Sequence, residues 1–424
     1  MPQTDFPSVL EIKDPLHGYV HLSELEKSIL DLRLTQRLRG IKSPSGVHLV
    51  YPGADISSLG LLLGTMNVTQ LFFEYLDAEL DEIIRARLAA MLFGLAIGPW
   101  SNVMEEYLTV RGLDRTKVAK LIVTNSQVGD IIKKSTLSKS EVIELLDKGV
   151  LLKGLRIDLL HTPINPILID RLERDAYFAG VEYAQVEYRR LFTETRIAKN
   201  KVAFYRGSLF TLESYLSAGT TMFEAVYYHK TVRAGELLQL RILDEAGAHI
   251  FPSPEKETED FLKCDDLTIT DILLRVPSDA PQEFQNAGEL FGDLRKRYLP
   301  KMASLRAISD AEFLEKISTP DGLFSVEREI AEGCDIDPSN VYVDFPDRPS
   351  VSYYPGKLPI DDIVLFERGT KGYEFWPLTE MSEIARSFTR RLKPVRVYTT
   401  RGYRAKVKKV ADSLLESVDY PGSP

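Results

Sequence analysis

Two apolar stretches, residues 59–76 and 81–94, constrain the fold of this chain more than any other feature. Only a few residues separate them. Each is long enough for several helical turns and is apolar on most of its faces, so both helices must be buried. Neighbouring apolar runs such as 88–99 are too short to cross a bilayer, which takes about 20 residues. The pair therefore reads as the middle of a helical core.

The rest of the chain builds around that pair. Residues 9–13 and 20–22 alternate like short strands flanking the turn Asp14-Pro-Leu-His-Gly18. Apolar Ile29, Leu30, Leu34, Leu38 and Ile41 predict a helix over 25–41, ended by Ser43-Pro-Ser-Gly46. Residues 111–152 hold three short helices, with Ser138 and Glu141 spaced as a capping box. Helices are expected at 165–180, 181–192 and, as one long amphipathic element, 211–243, with a strand at 197–205. Residues 251–260 are rich in proline and charge and read as an exposed connection. Residues 261–314 look helical with breaks at Pro281 and Pro300. Strand candidates at 341–345, 362–366 and 395–398 and helices at 379–390 and 405–417 follow. The fold class is mainly α: a helical core over 1–245, a helical connection over 246–335 and an α+β module over 336–424.

Composition bounds the function. Of 424 residues, 44% are hydrophobic and 27% charged, close to ordinary globular averages. A net charge of −9 disfavours nucleic acid as a partner for the whole molecule, while leaving room for a local basic patch. Cys264 and Cys334 form no metal or redox spacing and fit free thiols in a reducing cytoplasm. The first residues carry neither a basic start nor an apolar stretch of signal-peptide type. Expectation therefore places the chain in the cytoplasm, away from membranes.

Three frames carry further information. Tyr51-Pro-Gly-Ala54 runs on to Leu63-Gly64, Ala89-Ala-Met-Leu92 runs into Gly98-Pro-Trp-Ser101, and residues 171–180 read RLERDAYFAG. These frames resemble the HD-domain phosphohydrolases, in the deoxynucleoside triphosphate triphosphohydrolase-like branch. The α+β tail is similar to the C-terminal module of prokaryotic members, so the likeness spans nearly the whole chain. The resemblance implies an HD-domain helical core and, in active members, a His/Asp set that holds a metal ion. The matching ligand positions here are Leu61, Phe93, Gly94 and Ile167. Helper positions have changed too, to Ile56, Ser58, Ile97 and Asn102. An HD site needs imidazole and carboxylate donors to polarise a phosphoryl oxygen and acidify a bound water. Apolar side chains supply none, and burying them favours a dry, filled core. The expectation is a degenerate site with no catalytic residue, no metal and no resident cofactor. The remaining route to a metal is an unfamiliar set made from Asp55, Asp170 and Glu173.

A second site implied by the resemblance keeps more of its residues. In the segment ILDLRLTQRLRGIK, Asp31, Gln36 and Arg39 match positions that bind an activating nucleotide at an oligomer interface. A carboxylate and an amide can read a base, and guanidinium groups can grip phosphates. One family position for a phosphate-binding lysine reads Leu10. In the plainer reading, Asp31, Arg37 and Arg39 tie the helix to the 14–18 turn. A regulatory purine nucleotide and an oligomer, with itself or with an active relative, are the partners implied.

Other residues invite two readings each. His17 and His229 read as structural histidines. His161 stands near Asp158 and Asp170 in sequence, although prolines interrupt any regular ligand spacing. Asp175 matches a family residue that touches the substrate ribose, but its usual neighbours are replaced by Leu168 and Arg171. Residues 386–404 carry Arg386, Arg390, Arg391, Lys393, Arg396, Arg401 and Arg404. That run is either a solvated, ion-paired face or a contact for phosphate or nucleic acid, with Arg390, Arg391, Lys393 and Arg396 the candidates. Two functions remain open: a non-catalytic regulatory, nucleotide-sensing or assembly subunit, or a metal-dependent dNTP triphosphohydrolase with non-standard metal ligands.

Overall fold

A computed structural model describes residues 6–162, 164–308, 310–345, 360–370, 372–388 and 393–415. The helix α1, Ser58–Tyr75, starts where the Ser57 hydroxyl accepts the Gly60 N–H. It packs along α2, Leu80–Leu95. Both are buried along most of their length, as their apolar composition requires. Across them lies α3, Pro166–Ala179. The Asn165 side chain caps its first turn by accepting from Ile167 and Leu168, and Gly180 ends it in a left-handed conformation. The helix α4, Lys230–Ile250, closes the core.

An N-terminal hairpin, Leu10–Asp14 with Gly18–Leu22, pairs Leu10 with Leu22 and buries Val20 and Leu22 against this core. Helices Arg115–Asn125, Gln127–Lys133 and Lys139–Lys148 follow as the periodicity predicts. The Ser138–Glu141 capping box forms with both of its hydrogen bonds. Two predicted helices are broken. The 25–41 stretch splits into Glu24–Leu30, Arg33–Gln36 and a 3-10 turn at Arg37–Gly40. The 211–243 stretch stops after Leu209–Met222, widens into a π turn at Phe223–Tyr227, and restarts at α4. His229 caps the restart, its Nδ1 accepting the Thr231 N–H at 3.2 Å. Within 181–192 only Tyr188–Thr193 is helical.

Two larger sheets follow, beside the small hairpin of Val150–Leu152 with Leu155–Ile157. Strands Thr195–Ala198 and Lys201–Tyr205 form a hairpin, and the latter pairs in parallel with Val364–Gly369, itself paired with Gly372–Pro377. In the second sheet Lys393–Thr399 lies between Lys301–Ile308 and Val341–Asp344. Residues 301–308 were expected to be helical; they are a strand, because pairing with 393–399 outweighs local preference. The packing also divides the chain differently from 246–335 and 336–424. A second core runs from Ala303 to Leu415 and includes Ile317, Val326 and Ile330. Ile360, Ile363, Leu365 and Leu378 pack instead into the first core. Arg233 of α4 joins the two: it donates to Asp344 at 2.7 Å and to Glu236 at 2.7 Å, all three buried. Among the described residues no helix is long and apolar enough to cross a membrane.

Candidate functional site

Leu61 of α1, Gly94 of α2 and Ile167 of α3 meet at one crevice, walled also by Leu62, Ile97 and Arg115. Its volume is about 10 Å³, room for about one water molecule. Phe93 is buried in the core at 2% exposure but is not among the walls. A side chain at Gly94 would place its Cβ 2.8 Å from Leu62 Cδ1, so a carboxylate there requires Leu62 to move. The polar groups at the walls are the Thr65 hydroxyl and the Arg115 guanidinium, which is paired with Glu105. A neutral hydroxyl and a fixed cation do not make a site for a divalent ion, so this donor set does not fit the metal of the resembling enzymes. Among the described residues no group of three or more His, Cys, Asp or Glu side chains is placed to hold one.

Of the carboxylates near α3, Asp170 and Asp14 are engaged in structure. Asp170 accepts from His17 Nε2 at 2.5 Å and from Arg174 at 2.9 and 3.0 Å. Arg174 also donates to Asp14 at 2.9 Å, and Asp14 accepts the Leu16 and His17 amides. This buried chain locks the 14–18 turn onto α3. Burial works to raise the Asp14 pKa, but the Arg174 guanidinium and the two amides hold it below the ordinary value. Gly64 of α1 packs against the Asp170 carboxylate and the Arg174 guanidinium with no space for a Cβ. Glu173 is pushed up to about 8 by burial and then by the charge of Asp170. Asp175 is pushed up to about 7 by burial, against the pull of Arg171 at 3.8 Å. Arg171 donates to Ser43. Asp55 pairs with Lys42 at the surface. The set Asp55, Asp170 and Glu173 therefore does not assemble.

The N-terminal frame keeps an exposed face. Asp31 ends the Glu24–Leu30 helix and lies 3.3 Å from Lys27. Gln36 donates to the Leu30 carbonyl at 2.7 Å, and Arg39 Nε donates to Gln36 Oε1 at 2.8 Å. Asp31 and Arg39 are exposed. Arg37 does not reach the 14–18 turn, as the plainer reading had it. It is buried and donates to the carbonyls of Leu95, Ile97 and Cys264. A guanidinium there satisfies carbonyls left open at the C-terminal end of α2. The turn is held by Arg174 instead.

The described arginines of the basic run are engaged one by one with other parts of the chain. Arg396 donates to the Tyr228 carbonyl and stacks 3.8 Å from that ring, so it is a packing residue and no phosphate contact. Arg386 pairs with Glu383, Arg401 lies over Tyr298, and Arg404 donates to the Met302 carbonyl. Lys393 opens its strand opposite Ile308, while Arg390 and Arg391 lie outside the described residues. His161 pairs with Asp158 at 2.7 Å, and no contact joins either to Asp170. The residue that reasoning from sequence missed is Arg233. Its signal was an arginine, one of two with Arg241, in the amphipathic stretch that became α4.

Comparison with known proteins places this geometry. Residues 186–420 match the family model described as the HD associated region. The uncharacterized protein YwfO of Bacillus subtilis is 28% identical over 55% of this chain and 55% of its own length. The deoxynucleoside triphosphate triphosphohydrolase SAMHD1 homolog of Dictyostelium discoideum is 20% identical over 68% of this chain and 59% of its own. The matched region thus spans little more than half the length of these curated relatives. A hypothetical protein from Aquifex aeolicus superposes with a TM-score of 0.72 at 22% identity, covering 95% of this chain and 100% of that one. A phosphohydrolase from Bacteroides thetaiotaomicron superposes with a TM-score of 0.68 at 20% identity, covering 92% and 100%. Both share the helical core and the C-terminal α+β part.

Proposed function

The chain belongs to the HD-associated-region family, and from that premise we propose that it is a non-catalytic HD-fold protein. Its role is that of a regulatory, nucleotide-sensing or assembly subunit. One observation carries the reading. The crevice that unites Leu61, Gly94 and Ile167 has apolar walls, a hydroxyl and a paired guanidinium, and space for about one water. Without an ion, nothing at this position acidifies a water or polarises a phosphoryl oxygen. The hydrolase names of the Dictyostelium and Bacteroides relatives support descent from phosphate-ester chemistry. The chain itself supplies the scaffold of that chemistry.

The competing reading, a dNTP triphosphohydrolase with other metal ligands, needs Asp55, Asp170 and Glu173 to converge, and two of the three are committed elsewhere. Asp170 is held by His17 and Arg174, and Asp55 by Lys42. The ligand in the proposed role is a purine nucleotide at the exposed Asp31–Arg39 frame, and the partner is a second copy or an active relative. The test is a hydrolysis screen of all four dNTPs with Mg²⁺, Mn²⁺, Co²⁺ or Zn²⁺ added. The expected result is no turnover above that of a protein-free control with the same metal. Metal-dependent release of triphosphate by the unaltered chain would overturn the reading.

A further inference from the structure

A second cavity shares no wall with that crevice. It is a cleft of about 280 Å³ between the strand Leu155–Ile157 with its following loop and the strand Lys201–Tyr205. Leu155 and Val202, both half-buried, give it an apolar wall, backed by the almost wholly buried Ile157, Ile164 and Phe204. His161 and Lys201 line it as well.

The histidine is oriented. Asp158 Oδ1 accepts the backbone N–H groups of Leu160 and His161 at 2.8 and 3.3 Å, which fixes the carboxylate. Its Oδ2 lies 2.7 Å from His161 Nδ1. With Nδ1–H donating to Asp158, Nε2 is the ring nitrogen left to meet a ligand. The Asp158 hydrogen bond raises the imidazole pKa, so the ring gains a second donor more readily than a free histidine. Lys201 is set by the tight turn at Lys199 and Asn200, both at positive φ, which pairs Ala198 with Lys201. Its ammonium lies 2.8 Å from Asp362, with side chains 46% and 61% exposed. Such an exposed pair contributes little to stability, and an ammonium has three donors, so a ligand can compete for it at small cost. The other cation in the lining, Arg156, is tied to Glu144 and the Gly149 carbonyl. Both carboxylates of the cleft, Asp158 and Asp362, already have cationic partners. Thr162 and Asn200 add a neutral hydroxyl and amide to the lining, and the cationic groups with donors to offer are His161 and Lys201.

We propose that this cleft binds a small molecule that joins an anionic head to a flat apolar body. The head takes donors from His161 Nε2 and Lys201 Nζ; the body lies on Leu155 and Val202, with Ile157, Ile164 and Phe204 behind them. An apolar wall with a few convergent polar groups is the ordinary make-up of a small-molecule site. The site stands apart from the proposed function, and its failure would leave that reading intact.

The test uses the full chain and four probes: phenyl phosphate, benzoate, phenol and inorganic phosphate. Binding is followed by thermal shift and by the NMR signals of the His161 ring, assigned with His161→Asn. The expected result is saturable binding of phenyl phosphate or benzoate, about tenfold or more tighter than phenol or phosphate alone. The stronger of the two aryl anions identifies the head as phosphate or carboxylate. His161→Asn and Lys201→Met should each weaken it about tenfold or more. Both substitutions lie on exposed side chains, so melting without ligand should not change, which separates lost binding from lost folding. Three results overturn the proposal: no saturable binding of either aryl anion, equal binding by both variants, or inorganic phosphate binding as tightly as phenyl phosphate.

Discussion

At the scale of single residues, the four positions that the resemblance assigns to a metal site fall into two settings. Leu61, Gly94 and Ile167 close a crevice, whereas Phe93 is part of the core proper. Phe93→Ala should therefore destabilise the protein by roughly 3–5 kcal/mol, the cost of removing a large buried ring and leaving a cavity. Denaturant unfolding measures it, and a near-neutral change would mean that the ring is not packed. Glu173 offers a second measurement. Its carboxyl is raised from 4.5 to about 8, so between those values the folded state keeps a proton that the unfolded state has released. Stability contributed by this group falls as pH rises through that window. Glu173→Gln removes the titration, and the variant should lose less stability than the parent between about pH 5 and about pH 8. Parallel stability profiles would contradict the assignment.

At the scale of elements, local chemistry was readable and long-range partnership was not. Capping at Ser138, the 14–18 turn between two strands, and the paired helices α1 and α2 followed from neighbouring residues. The strand 301–308 did not, because its identity comes from residues almost a hundred positions later. The breaks at Asp31 and at residues 223–229 were hidden for a related reason. Both lie inside apolar periodic patterns, and what breaks them is packing and capping in three dimensions. Likewise the frames named the positions of the crevice, yet its size and the presence of Arg115 in it needed the fold. The Asp31–Arg39 element yields a prediction of its own. If it reads a guanine nucleotide, a ligand excess of ~100 times the dissociation constant should stabilise the native state by ~2.7 kcal/mol. Arg39→Ala should abolish that shift without unfolding the chain, since Arg39 is exposed and bonded only to Gln36 among the described residues. A shift that survives the substitution would place the nucleotide elsewhere.

At the scale of the whole molecule, two cores are joined through buried charge. Arg233 is held by Asp344 from the second core and by Glu106 and Glu236 from the first. Leaving such carboxylates unpaired is costly, so the two parts should unfold together. The exposed Asp31–Arg39 face sits on the first core and is the surface proposed for assembly. Light scattering should therefore give a dimer or larger, and a constant mass of 47.9 kDa across a broad concentration range would contradict it. The central claim, a phosphohydrolase scaffold without its metal, is tested most directly by metal stoichiometry. The purified chain would be dialysed against Mn²⁺ or Zn²⁺ and its bound metal counted by mass spectrometry. The predicted result is far less than one ion per chain, unchanged in an Asp170→Asn variant that still folds. One tightly held ion per chain, lost in that variant, would contradict the claim and restore a catalytic reading.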